Sequence, residues 1–111
     1  MATITPAVIQ GGAVLGTSAI PIYTTPASTK GIIRRAVFTN VGAAAVTYTV
    51  SILRVGTPSA IVLISARSLA PNQSDVPPEL ASMVLGAGDI VSGSASLATS
   101  VNVFMNGYVV V

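Results

Sequence analysis

The stretch IIRRAVFTNVGAAAVTYTVSI, residues 32–52, decides the fold. Its second half alternates. Val46, Tyr48, Val50 and Ile52 fall on one face, Thr47, Thr49 and Ser51 on the other, the period-two pattern of a half-buried strand. That strand is expected over Ala45–Val55. Upstream, Gly31–Asn40 reads as a second strand, ended by the Asn/Gly turn NVGA. The stretch also sets a puzzle. Arg34 and Arg35 are adjacent, and adjacent residues on a regular strand point to opposite faces. One arginine is therefore expected on the side that ought to be buried. An assembled subunit resolves this, because a guanidinium can bond carbonyls and carboxylates at a buried interface. At least one of the two is expected to contact another subunit.

Outward from this stretch the chain keeps the same character. Val, Ile and Thr make 37 of the 111 residues, and such stiff β-branched side chains favour pleated surfaces. No window carries a 3.6-residue apolar stripe. Residues 1–29 contain Pro6, Pro21, Pro26, Gly11, Gly12 and Gly16 and no charge. Residues 1–22 are read as an extended N-terminal arm, with short strands near 13–15 and 19–23, and residues 23–111 as the folded domain. Further strands are expected over 60–69, 81–85, 89–97 and 100–110. In the first of these, IVLIS is apolar on both faces, so both sides are expected to be covered. VGTPSA, APNQSD and GAGD are turns or loops, and Pro77-Pro78 suits an edge or a crossing. Asn106-Gly107 fits a bulge in the last strand better than a hairpin turn, since only four residues follow. The sum is an all-β chain: a single antiparallel β-sandwich or jelly-roll-like domain of six to eight short strands with an N-terminal arm.

Charge bears on function. Five basic and three acidic residues make up 7% of the chain, where an average domain carries about 25%. A compact monomer of this mass exposes about 5,600 Å², which so few charges cannot dress. The 23 serines and threonines cover some of it. The remaining apolar surface points to a permanently assembled subunit. The hydroxyl-rich rows Thr47, Thr49, Ser51 and Ser92, Ser94, Ser96 suit contact surfaces without the desolvation cost of charge. The charge-free runs 36–53 and 90–111 alternate, so no membrane-spanning helix is expected, and the first ten residues lack the basic start of a signal peptide.

With no histidine and no cysteine, triad catalysis, disulfides and His/Cys metal sites are excluded. Asp75, Glu79 and Asp89 are too few for a supported carboxylate pair and read as partners of the basic residues. No phosphate-binding glycine loop is present, and the cations and aromatics make too thin a footprint for nucleic acid. The chain is therefore read as a structural or binding protein: not an enzyme, without cofactor or metal, without direct nucleic-acid or membrane contact.

The order of its turn motifs carries a resemblance. Tyr23–Ala27 (YTTPA), Ile32–Arg34 (IIR), Asn40–Thr47 (NVGAAAVT), Leu69–Pro71 (LAP), Leu85–Ser96 and Val101–Gly107 follow one another as in a family of small structural proteins of tailed bacteriophage virions, which the chain resembles over about residues 22–110. It departs from that pattern at Pro77-Pro78, where a plain strand is common. The resemblance implies a capsid cement or decoration protein, often trimeric. Such a protein sits on the outer capsid surface of the virion and bridges subunits of the major capsid protein, after synthesis in the host bacterial cytoplasm. A tail, collar or baseplate part of the same fold is the nearest alternative. A carbohydrate- or host-receptor-binding sandwich, stacking sugars on Tyr23, Tyr48 or Tyr108, is a further one. The residues expected at subunit and capsid contacts are Ile4, Val8, Ile9, Arg34, Arg35, Arg54 and Arg67.

Overall fold

The computed structural model describes residues 4–110. Over these the chain forms nine strands: β1 (Ile4–Val14), β2 (Ile20–Thr24), β3 (Lys30–Asn40), β4 (Val46–Leu53), β5 (Ile61–Leu69), β6 (Ser74–Asp75), β7 (Met83–Leu85), β8 (Ile90–Ala95) and β9 (Val101–Val110). They make two sheets. The first runs β1-β9-β3, with the short β6 and β7 both on the far side of β3; the second runs β2-β8-β4-β5. Every pairing is antiparallel. β6 and β7 are two pieces of one edge strand, interrupted where Pro77 and Pro78 remove ladder donors. With them counted as one, eight strands in this order are a double-sheet jelly roll.

The strands follow local chemistry. β4 buries Val46, Tyr48, Val50 and Ile52 and leaves the hydroxyl residues between them half-exposed, as its alternation requires. The NVGA turn is held by Asn40, whose buried side chain donates to the carbonyls of Ala44 (2.9 Å) and Leu69 (3.0 Å) and accepts from the Gly42 amide (2.8 Å). Phe38 from the first sheet stacks on Tyr48 from the second, with centroids 4.6 Å apart and planes 15° off parallel. Both are fully buried, and such a stack adds about 1 kcal/mol to the area they bury. Ile33, Met105, Val91, Leu69, Leu80 and Leu85 close around them.

The two arginines do not straddle the sheet. Ile33 pairs with Gly107 and Arg35 with Asn106, so Arg34 is an extra residue opposite no partner. This is a β-bulge, and it resets the phase of the strand. Gly31 and Ile33 point inward before it, Ala36, Phe38 and Asn40 after it, and Arg34 and Arg35 are both exposed. The expectation that one arginine faces the buried side assumed an unbroken ladder. On the other flank of β9, Val8 pairs with Asn106 and Gln10 with Met105, which makes Ile9 a second extra residue at the same level. The irregularity expected inside the last strand thus lies in both of its neighbours, while β9 itself runs unbroken through Asn106-Gly107. Gly107 is required by close approach: a Cβ there would lie 1.9 Å from the Ile32 carbonyl oxygen and 2.9 Å from the Arg34 nitrogen.

Two further readings change. Residues 4–14 are extended, but inside the sandwich and not as a separate arm. β1 pairs with β9 from Ile4–Val110 to Val14–Asn102, and Ile9, Leu15 and Ile22 are core residues. Because β1 is an edge strand, Pro6 and the glycines Gly11 and Gly12 interrupt nothing beyond it. β5 is the outer edge of the second sheet, so Ile61 and Val62, expected to be covered, stand 54% and 55% exposed.

Gly107→Ala is expected to destabilise the protein by about 3 kcal/mol or more, since backbone must move. Gly93→Ala meets only side-chain ends, Ile22 at 2.7 Å and Leu15 at 3.2 Å, and is expected to cost less than half as much. Urea unfolding of the two variants checks the order; equal losses would remove the special role of position 107.

Candidate assembly surface

The two sheets present different outer faces. On the second, Thr49 stands opposite Ser94 and Ser51 opposite Ser92 across β4 and β8. Some of these hydroxyls serve their own sheet: Ser96 Oγ accepts from the Thr47 amide and Thr49 Oγ1 from the Ala66 amide, each at 3.0 Å. No charged residue occurs in β2, β4 or β8.

The charges are sorted by place. Arg54, just past β4, donates to Asp89 Oδ2 at 2.7 Å and to the Val84 carbonyl at 2.9 Å. Asp89 is almost fully buried and also accepts from the amides of Val55 (3.0 Å) and Gly86 (2.9 Å). Burial alone would push its carboxyl up; the two amides and the Arg54 guanidinium outweigh that and hold it below the ordinary aspartate value. On the opposite edge, Arg67 of β5 forms a two-toothed pair with Glu79 and lies 3.6 Å from Asp75 of β6. The Tyr48 hydroxyl donates to the same Asp75. Burial, then Asp75, push that phenol well up, and the Arg67 hydrogen bond lowers Glu79. All three acids are thereby engaged within the chain, and each ion-paired group bridges the two sheets or closes a turn between them.

Lys30, Arg34 and Arg35 remain. All three lie on β3 and are exposed, and no acidic side chain pairs with any of them. Arg34 and Arg35 line a hollow of about 320 Å³ with Pro6, Asn106, Gly107 and Tyr108. Arg34 Nη1 donates to the Tyr108 hydroxyl at 3.4 Å. Around the hollow the outer face of the first sheet is apolar. Ile4 and Val8 are 65% exposed, Val84 51% and Phe104 40%, with Val37 and Ile32 between them.

Of the contact residues expected from sequence, Ile4, Val8, Arg34 and Arg35 share this face. Ile9 is 6% exposed and belongs to the core; as the bulged residue it turns inward where Val8 turns out. Arg54 and Arg67 are occupied by intrachain ion pairs. Pro6, Phe104, Asn106 and Tyr108 were missed, although positions 102, 104, 106 and 108 carry the outward half of β9's alternation. Tyr48 is fully buried and offers no sugar a ring face; Tyr23 and Tyr108 are half-buried. Among the described residues no cluster of three metal-ligating side chains occurs, and no helix is long and apolar enough to cross a membrane.

This geometry defines an all-β jelly-roll domain with one uncharged face and one cationic, apolar face. No family model matches the chain, and no curated protein matches its sequence. Solved structures share the fold. A chain of the T13 IBDV viral particle superposes with a TM-score of 0.59 at 9% identity, over 98% of this chain and 30% of that one. The infectious bursal disease virus VP2 subviral particle gives 0.50 at 10% identity, over 98% and 32%. A subunit of Bacillus endospore appendages, described as disulfide-linked pili, gives 0.54 at 16% identity, over 99% of this chain and 88% of that one. The chain thus spans about a third of the length of the viral chains and most of the pilus subunit.

Asn in place of Asp89 is expected to cost about 2 kcal/mol at neutral pH, the worth of hydrogen bonds to a buried charge. Because the folded carboxyl titrates below its unfolded value of 3.8, its stabilisation is full well above that value and lost as pH falls through the lower folded one. The wild type should therefore weaken steeply in acid and Asp89→Asn less so. Melting temperatures from pH 7 to pH 2.5 check this; parallel curves would show that Asp89 does not set the acid limb.

Proposed function

We propose that this protein is a structural subunit of a virion: a capsid cement, or decoration, protein that binds the outer capsid surface and bridges neighbouring major capsid subunits. The observation that carries the reading is the outer face of the first sheet, where the exposed apolar side chains Ile4, Val8, Val84 and Phe104 stand around cations that no acidic side chain pairs among the described residues. A lone soluble domain gains nothing from such a face, whereas a subunit that buries it does. The jelly roll shared with two viral-particle structures supports the reading, as does the motif order resembling phage virion proteins.

The mechanism is mechanical. Each contact of standard size removes about 800 Å² per partner from water, and repetition over a shell adds the small surplus of each contact into resistance against internal pressure. The hydroxyl face of the second sheet, free of charge, suits contact with further copies in a homotrimer. A tail, collar or baseplate place uses the same surfaces. A second reading, a filament subunit, is favoured by the near full-length match to the appendage subunit; with no cysteine, this chain could not link such a filament by disulfides.

Copy number separates these. Cement predicts on the order of hundreds of copies per purified particle, whereas a tail or collar ring predicts about six or twelve, following ring symmetry. Quantitative mass spectrometry of virions decides. Recombinant protein that forms filaments under the electron microscope, and that no virion contains, would establish the second reading instead.

A further inference from the structure

The bulge hollow carries an inference about what the cationic face receives. Arg34 and Arg35 both line it, neighbours on one exposed side only because Arg34 is an unpaired bulge residue. Gly107 lines it as well, where the backbone of Ile32 and Arg34 packs directly against the glycine. Asn106 and Tyr108 add an amide and a hydroxyl at the rim. Each arginine presents five N–H donors in a planar fork. One donor of Arg34 reaches Tyr108, and no acidic side chain of the chain reaches either arginine. Two like charges held together without a counter-ion repel, and an incoming carboxylate relieves that repulsion as it binds.

We propose that this hollow is a carboxylate receptor for an aspartate or glutamate side chain of a different protein. A second copy of this chain does not supply that group. Asp89 is buried against Arg54, and Asp75 and Glu79 are held by Arg67. Self-association through this face would set Lys30, Arg34 and Arg35 against their own kind. A nucleic acid is the other holder of clustered anions, but its interfaces are strongly and extensively basic. Here three cations sit among Ile4, Val8, Ile32, Val84 and Phe104, the mixture of arginine with apolar and aromatic side chains found at protein interfaces. The inference deepens the shell reading and rests on it for the partner's place: the capsid site under this face carries an exposed acidic side chain within an apolar patch.

The test uses the whole protein and a hexaglutamate peptide with both ends blocked, followed by amide chemical shifts at low salt. Saturable binding is expected, with perturbations centred on Arg34, Arg35, Asn106 and Tyr108. Arg34→Gln/Arg35→Gln should weaken it by about tenfold or more, the worth of a charge-assisted bidentate contact. Since both side chains are exposed, the fold should persist, with an unchanged or higher melting temperature. Lys30→Gln removes one exposed charge of the same strand outside the hollow and should weaken binding less than Arg35→Gln does alone. Absence of saturable binding, or an equal loss in Lys30→Gln, overturns the proposal. So does tighter binding of an oligothymidylate at the same residues, which would assign the hollow to nucleic acid. Self-association in light scattering that the double variant abolishes would assign it to a second copy. Virion copy number is independent of these outcomes. A chain abundant in particles that ignores the peptide loses only the receptor, and one that binds the peptide but is absent from particles loses only the shell reading.

Discussion

The carbonyl oxygen of Ile32 occupies the space where a side chain at position 107 would begin, and much of the architecture depends on that contact. It lets β3 close on β9 tightly enough to carry an extra residue at Arg34. The extra residue moves the inward phase from odd positions to even ones, from Gly31 and Ile33 to Ala36 and Phe38. Without it, a strand of strict period two would aim Phe38 at solvent and Val37 at the core. Phe38 is the first sheet's half of the aromatic stack, and Tyr48, the other half, bonds Asp75 at the edge of the first sheet. One missing methyl group is therefore coupled, through the phase of a single strand, to the centre of the core and to the edge where the sheets are tied together.

The ion pairs explain why so few charges suffice. Arg54–Asp89 ties the end of β4 to the turn before β8, and Arg67 ties β5 to the segment around β6. Surface pairs are worth little on average; these combine a charge with backbone amides or with a buried phenol. Edge pairing is discouraged by other means. β1 carries Pro6 and two irregularities, β2 carries Pro21 and one, and β5 bends twice, with Ala66 at a φ of 46°. These are the devices by which natural sheets avoid uncontrolled growth at their edges. The surfaces left open for contact are therefore the faces more than the edges.

Where hydrophobicity alternates in sequence, the structure follows it: β3, β4, β8 and β9 lie within a residue or two of their expected limits, and the glycine and asparagine turns lie between them. Three things were not legible. A bulge leaves no mark in a single strand's pattern, because the extra residue is defined by its partners. Arg34-Arg35 signalled an irregularity, but whether a buried charge or a phase shift resolved it depended on Gly107, some seventy residues away. β1 lacked alternation because an edge strand tolerates Pro6, Gly11 and Gly12, so it read as an arm. IVLIS read as covered on both sides because composition reports what a strand could bury; its place at the edge of the second sheet decides what it does bury. The candidate surface was half visible. Arg34 and Arg35 stood out, while Asn106 and Tyr108, which complete the hollow, look in sequence like ordinary outward positions.

The two faces differ in a way that constrains any assembly. An uncharged hydroxyl and aliphatic surface can meet its own copy at no electrostatic cost and with modest desolvation. A surface with unpaired cations and no acids cannot do the same, because symmetry would place each positive charge near another. The chain has no acid to spare for such an interface, since removing one from Arg54 or Arg67 would unfasten an edge of its own sandwich. On the proposed reading, homotypic contact would fall to the second sheet and heterotypic contact to the first. A domain that did bind its own kind on one side and an acidic partner on the other could link neighbouring sites on a larger lattice, and that proposed division of labour would follow from where eight charges were placed.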